Sequence, residues 1–232
     1  MRVLRHVDLT LPLGPDAVVY PGDPRPRFTP ASSLSEDGSV VHEVTVGSQS
    51  GTHVDAPSHV AAGGASVDRL EVGLFAGPGV LVDATAAGAG QPIGWDVFEP
   101  VAPRLGPGVL VLLHTGWVRH YGTPAWFAHP HLDPDACARV LATGVRTVLL
   151  DAPSIDPHGD DPLPCHHLVA DAGGVIGENL TGLDRVSWPD PFVLALPLPL
   201  EGLDGARSAP SRSSSPPTLA TAPEPGADPG AS

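Results

Sequence analysis

The sequence predicts a strand-rich α/β fold in a single domain, with few and short helices. Three observations carry this. Short apolar runs recur along the chain, each bounded by Gly, Pro or Asp. Only one helix has clear start and stop signals. The 29 prolines and 27 glycines among 232 residues fill the connections with loops, unlike a regular βαβ winding.

In chain order the strand candidates are Val3 to Leu11, Val41 to Gly47, Gly79 to Asp83, Val109 to His114, Val145 to Leu150 and Phe192 to Leu196. The marked helix follows Asp133, a capping residue, with Pro134 at its first position and Gly144 just past its end. Leu132, Ala136, Val140 and Leu141 recur at helical spacing and give that segment one face to pack on a sheet. A second helix is expected over Pro164 to Ala170. Near Asp204 the composition changes: from Ala206 to Ser232 the chain is mostly Ser, Pro, Ala and Gly, with no aromatic residue. Such a segment buries too little apolar surface to offset the entropy of ordering it. The expectation is a folded domain over 1–203 and a disordered tail over 204–232.

Composition narrows the function. Hydrophobic residues are 41% and charged residues 16%, as in a globular protein. A formal net charge of -14 argues against nucleic acid or an anionic membrane as partner. No apolar run reaches the roughly 18 residues of a membrane span, and none near Met1 has signal-peptide length, so the expected location is cytoplasmic. All 12 basic residues are arginine. Schiff-base chemistry on lysine, a P-loop lysine and a Ser–Lys dyad are thereby excluded. Cys137 and Cys165 are too few for a disulfide framework and read as free thiols.

Among 11 histidines and 26 acids, His53, Asp55 and His59 fall within seven residues, after Gly51-Thr52 and around Pro57. If His53 to Asp55 is extended, both side chains point to one face. Pro57 then turns the chain and can return His59 toward it. Two imidazoles and a carboxylate suit zinc or manganese. A lone histidine on a surface strand would carry no such weight; the cluster does.

Gly51-Thr52-His53-Val54-Asp55-Ala56-Pro57-Ser58-His59 resembles the His-x-Gly-Thr-His-x-Asp-x-Pro-x-His signature of the cyclase-like metal hydrolases, which include bacterial kynurenine formamidases and isatin hydrolases. Tyr20-Pro21-Gly22-Asp23-Pro24 is similar to that family's aromatic-Pro-Gly-Asp loop, and Val7-Asp8-Leu9-Thr10 to its opening strand. Asp151-Ala152-Pro153-Ser154-Ile155-Asp156 looks like its Asp-x-x-Ser-x-Asp element, and His166 with Glu178-Asn179-Leu180 like its late His and Glu. The resemblance implies a swivelling β/β/α fold, a divalent zinc or manganese cofactor, a small-molecule substrate and a homodimer or homotetramer. It also implies metal-site roles for His53, Asp55, His59, His166 and Glu178, with His59, His166 and Glu178 each either ligand or proton shuttle. Tyr20 and Ser154 are implied at the substrate. The family's first signature histidine falls on Gln49: either it is a substitute ligand or the first metal position is weakened.

The activity this implies is metal-assisted hydrolysis of an amide-type C–N bond, as in an arylformamidase of tryptophan catabolism. Two alternatives stand beside it: a metal-dependent cyclase or dehydratase of a natural-product pathway, and a non-catalytic metal-binding relative. Trp117, Trp126 and Phe127 are further candidates for an aromatic pocket, with Trp95 a weaker one. Cys165 beside His166 is not expected to act as a nucleophile, for want of a third orienting group. His129, His131 and His158 read as residues of surface loops.

Overall fold

The structure is a computed structural model and describes residues 5–159 and 162–213. In chain order its strands are β1 (His6–Asp8), β2 (Arg27–Ser32), β3 (Val41–Thr45), β4 (His53–Asp55), β5 (Ala76–Asp83), β6 (Pro92–Ile93), β7 (Leu110–His114), β8 (His131–Leu132), β9 (Thr147–Leu150), β10 (Val175–Glu178), β11 (Phe192–Leu194), β12 (Gly205–Arg207) and β13 (Ser211–Ser213). Three α-helices accompany them, α1 (Leu34–Asp37), α2 (Pro134–Ala142) and α3 (Pro164–Asp171), together with short 3₁₀ turns. This is the strand-rich α/β architecture with few short helices that the sequence predicts.

Nine strands form one mixed sheet in the order β1-β13-β11-β5-β7-β9-β10-β4-β12. The central four, β5, β7, β9 and β10, run parallel, and α2 and α3 lie in the crossovers between β7, β9 and β10. Both faces of these strands are covered, which explains why they read as unbroken apolar runs. In β7 the side chains alternate between two cores. Val111 and Leu113 pack with Val140 of α2 and Val169 of α3, whereas Leu110 and Leu112 pack with Leu9, Leu183 and Val193 on the other face. On both flanks the sheet turns antiparallel, at β11 and at β4.

Helix α2 starts as expected, with the Asp133 carboxylate accepting from the backbone N–H groups of Asp135 and Ala136. The six strand candidates all contain strands, although several are shorter than expected, and residues 3 and 4 of the first lie outside the described residues. Strand β10 is absent from the sequence-based set because Gly173, Gly174 and Gly177 interrupt its apolar pattern. Gly177 leaves room there for Leu149, whose Cδ2 would lie 2.4 Å from a Cβ and would have to shift. His129 does lie in a loop, but not at the surface: it is 1% exposed, and burial pushes its pKa down to about 4, while His131 opens β8.

The domain boundary at Leu203 is also corrected. Residues 205–207 form β12 on β4, and residues 211–213 form β13 between β1 and β11. Ala206 is fully buried beside Val54 and Phe75. Small residues let this segment lie flat against β4, so low apolar content misled the boundary; the rest of the expected tail, 214–232, lies outside the described residues. Among the described residues no helix is long and apolar enough to cross a membrane. A chain ending at Leu203 is expected to unfold about 5 °C or more below the full chain, on a scale of about 2–4 °C per kcal/mol, as thermal circular dichroism would show.

Candidate metal centre and cavity

The site is built on the antiparallel pair β4–β10. Its register sets His53 opposite Glu178 and Asp55 opposite Ile176. Strand alternation puts His53 and Asp55 on one face, and the cross-strand pairing adds Glu178 to it. All three are buried, at 3%, 4% and 5% exposure. His53 Nε2 lies 3.4 Å from Asp55 Oδ1 and 3.7 Å from Glu178 Oε2. Among the described residues, His53, Asp55 and Glu178 are the group whose ligand atoms all fall within 4.8 Å of one another.

Helix α3 supplies the fourth side chain. His166 Nε2 sits 3.4 Å from Glu178 Oε1 and 3.7 Å from Asp55 Oδ2. Its other nitrogen is fixed by Asp156, whose Oδ2 is 2.7 Å from Nδ1. The same carboxylate accepts from the backbone N–H groups of Cys165 and His166, so it also caps the first turn of α3. His53 is oriented in the same manner, with Nδ1 2.8 Å from the Gly51 carbonyl. In both rings Nε2 faces the cluster, the arrangement in which the distal nitrogen fixes the tautomer.

A second layer holds the backbone. Asn179 takes a left-handed φ of 58°, which asparagine tolerates, and donates to the Gly51 carbonyl. Thr52 Oγ1 donates to the Asn179 carbonyl at 2.6 Å and accepts from Leu11 N–H. Gly51 itself has φ 66°, and a Cβ there would lie 2.6 Å from Arg207 Nη1. Gly51, Thr52 and Asn179 of the motifs thus hold the segments that carry His53 and Glu178.

The electrostatics favour a cation. Both oxygens of Asp55 are buried without a hydrogen-bond partner. Burial works against charge on each group, yet Asp55, helped by Glu178, raises the His53 pKa to about 9. His166 is likewise raised, against its burial, by Asp156, Asp55 and Glu178. Asp55 is held below the usual carboxylate range because His53 and His166 outweigh its burial. Buried carboxylates and two imidazoles directed at one point are the donor set of a divalent ion, so these residues fit a metal.

The cluster forms the floor of a cavity of about 380 Å³. Its walls include Val18, Tyr20, Trp126, Phe127 and Leu163. Tyr20 meets Phe127 edge-on at 5.8 Å, and its hydroxyl lies 2.8 Å from Nδ1 of the exposed His158. Ser154 lines the cavity while its Oγ accepts from Asp156 N–H. Trp117 is buried in the core, with its indole N–H on the Ala125 and Trp126 carbonyls, and Trp95 stacks under Arg139. Cys165 is buried, and the neighbouring Cys137 thiol together with burial pushes its pKa far up.

Gln49 and His59 also line the cavity but have other partners. The 3₁₀ turn Pro57–His59 brings His59 beside His166, with ring centroids 5.9 Å apart. Its Nδ1 lies 3.1 Å from Asp204 Oδ2, and Gln49 Nε2 donates to that same oxygen at 2.9 Å. Sequence reasoning missed Asp204, which it assigned to the tail. The Tyr20-Pro21-Gly22-Asp23-Pro24 loop also contributes Asp23. Asp23 lines the cavity, and burial raises its pKa against the pull of His53 and His59.

Known proteins share this arrangement of sequence and fold. Residues 7–157 match the family model described as "Putative cyclase". A kynurenine formamidase of Bacillus thuringiensis is 32% identical over 209 residues, covering 89% of this chain and 96% of its own. Isatin hydrolase A of Labrenzia aggregata superposes with a TM-score of 0.80 at 25% identity, over 90% of this chain and 93% of that one. A structure described as a potential metal-dependent hydrolase with cyclase activity gives 0.77 at 26% identity, over 92% and 99%. Family match, near full-length relatives and shared fold agree: the chain belongs to the cyclase family.

Proposed function

We propose that the protein is a metal-dependent hydrolase that cleaves an amide-type C–N bond in a small aromatic substrate, in the manner of an arylformamidase. The observation that carries this is the convergence of His53, Asp55, Glu178 and His166 at the floor of a cavity with aromatic walls. Kynurenine formamidase and isatin hydrolase among its relatives support the same reaction class. His53, Asp55, Glu178 and His166 would hold the ion, and this mixed imidazole–carboxylate set suits zinc or manganese. When bound, such an ion acidifies water and polarises a carbonyl.

The chain's own groups do the rest. Asp156 and the Gly51 carbonyl hold the two imidazoles with Nε2 inward. His59, outside the cluster but on the same cavity, takes a proton from the attacking water and returns it to the leaving nitrogen, giving an acid and an amine. Tyr20, Trp126 and Phe127 provide apolar aromatic walls against which an aryl group packs, and Ser154 borders them. The ribbon β2–β3 exposes Val41 and Val44 at 53% and 58%. A two-stranded ribbon of this kind needs packing from elsewhere, which supports a homodimer or homotetramer.

Metal analysis of the purified chain, with formanilide hydrolysis before and after chelation, tests the reading: activity is expected to vanish on chelation and return with zinc or manganese. Asp55→Ala is expected to lose the bound ion. His59→Ala should keep the ion and lower kcat by about 10²–10⁴-fold. Metal binding should also depend on pH. Below about 9 the His53 ring carries a proton that a cation must displace, so affinity rises toward pH 9 and falls as pH drops. Calorimetry in buffers of different ionisation enthalpy should show proton release on binding.

A further inference from the structure

We infer that Asp204 is a positioning residue for His59: it holds the ring as the Nδ1–H tautomer and leaves Nε2 as the free, proton-accepting nitrogen. The inference deepens the hydrolytic reading and rests on it for the role of His59.

Three atoms form a near-equilateral triangle. Gln49 Nε2 and His59 Nδ1 lie 2.9 Å and 3.1 Å from Asp204 Oδ2, and 3.1 Å from each other. A carboxylate oxygen can only accept, so each nitrogen presents its hydrogen to Asp204. Turning the Gln49 amide over would set its oxygen against the carboxylate oxygen at that same separation, which repulsion forbids. Gln49 is therefore a donor. The Gln49–His59 separation is the spacing of two donors that share one acceptor. The His59 proton is then on Nδ1, and Nε2 keeps its lone pair.

Asp204 is well placed to impose this. Its carbonyl accepts from Ala56 N–H at 2.8 Å, and the next residue, Gly205, pairs with Asp55 in the β12–β4 ladder. The backbone bearing the carboxylate is thus tied to the strand bearing the metal-site aspartate. Glycine at 205 is needed for the fit, because a Cβ there would lie 2.7 Å from the Val54 carbonyl and 2.8 Å from Gln49 Nε2. Partial burial would raise the Asp204 pKa, but hydrogen bonds from Gln49, His59 and Ser48 lower it further, so the group stays a carboxylate. A carboxylate on the far nitrogen of a catalytic imidazole selects the tautomer and steadies the ring when it takes a proton. Gln49, at the position of the family's first signature histidine, serves here to lock that carboxylate.

The test uses the full chain with ¹⁵N-labelled histidine in the presence of zinc. Ring ¹⁵N–¹H correlation spectra at mildly alkaline pH report the tautomer of His59, assigned from His59→Ala. The wild type should show Nδ1–H, and Asp204→Ala should lose that preference. With formanilide, Asp204→Ala should lower kcat by about 10²-fold with KM and bound zinc unchanged, and Asp204→Glu should restore part of the loss. If Asp204→Ala fails to fold, Asp204→Asn keeps the shape and removes the charge, and is read in the same way. A wild-type His59 protonated on Nε2, or a tautomer and kcat indifferent to Asp204, overturns the inference. Should the wild type not hydrolyse formanilide, the proposed function is at fault, and the ring spectra still decide the role of Asp204.

Discussion

Strand β10 is parallel to one neighbour and antiparallel to the other, and the site depends on that change of direction. Parallel pairing with β9 sends Glu178 to the carboxyl end of the central sheet, where crevices form in such folds. Antiparallel pairing with β4 then brings the start of that strand, His53, to the same end. Two residues of β4 and one of β10 meet on a shared face with no long loop to position them. Helix α3 adds His166 from the crossover between β9 and β10. Rigid elements therefore carry all four inward-facing side chains, as precise ligation requires.

Burial makes this arrangement costly without a cation. Asp55 is nearly inaccessible and has no hydrogen-bond donor on either oxygen, a state that a protein keeps only where charge is answered by charge. Asp156 shows the opposite solution: its carboxylate is satisfied by two backbone N–H groups and one imidazole. Two buried aspartates thus differ in kind. One is spent on architecture, holding the start of α3 and the ring of His166. The other is left open toward the point where the ligand atoms converge.

Much of this was legible in the sequence. His53 and Asp55 share a face because strand side chains alternate, and Pro57 does return His59 to the cavity. The caps of α2 and the proline that opens α3 were readable from local chemistry. Asp204 was not, because its role comes from pairing with a strand some 150 residues earlier, and its small-residue neighbours lower the apolar signal on which boundary arguments rely. Nor could spacing show that Gln49 turns toward Asp204. That preference is set by the acceptor it meets, and the acceptor is non-local. Strand β10 escaped notice for a related reason, since Gly177 weakens its pattern in order to admit Leu149.

Strand β12 has a consequence for how the molecule forms. The contact from Gln49 to Asp204 spans 155 residues. Closing such a loop carries an entropic cost before any contact repays it. The central parallel strands and their helices can assemble while β4 still lacks its outer neighbour. Until β12 docks, His59 has no Asp204 carboxylate beside its ring. A chain in which β12 has not docked keeps His53, Asp55 and Glu178 on β4 and β10 but lacks the carboxylate that faces His59.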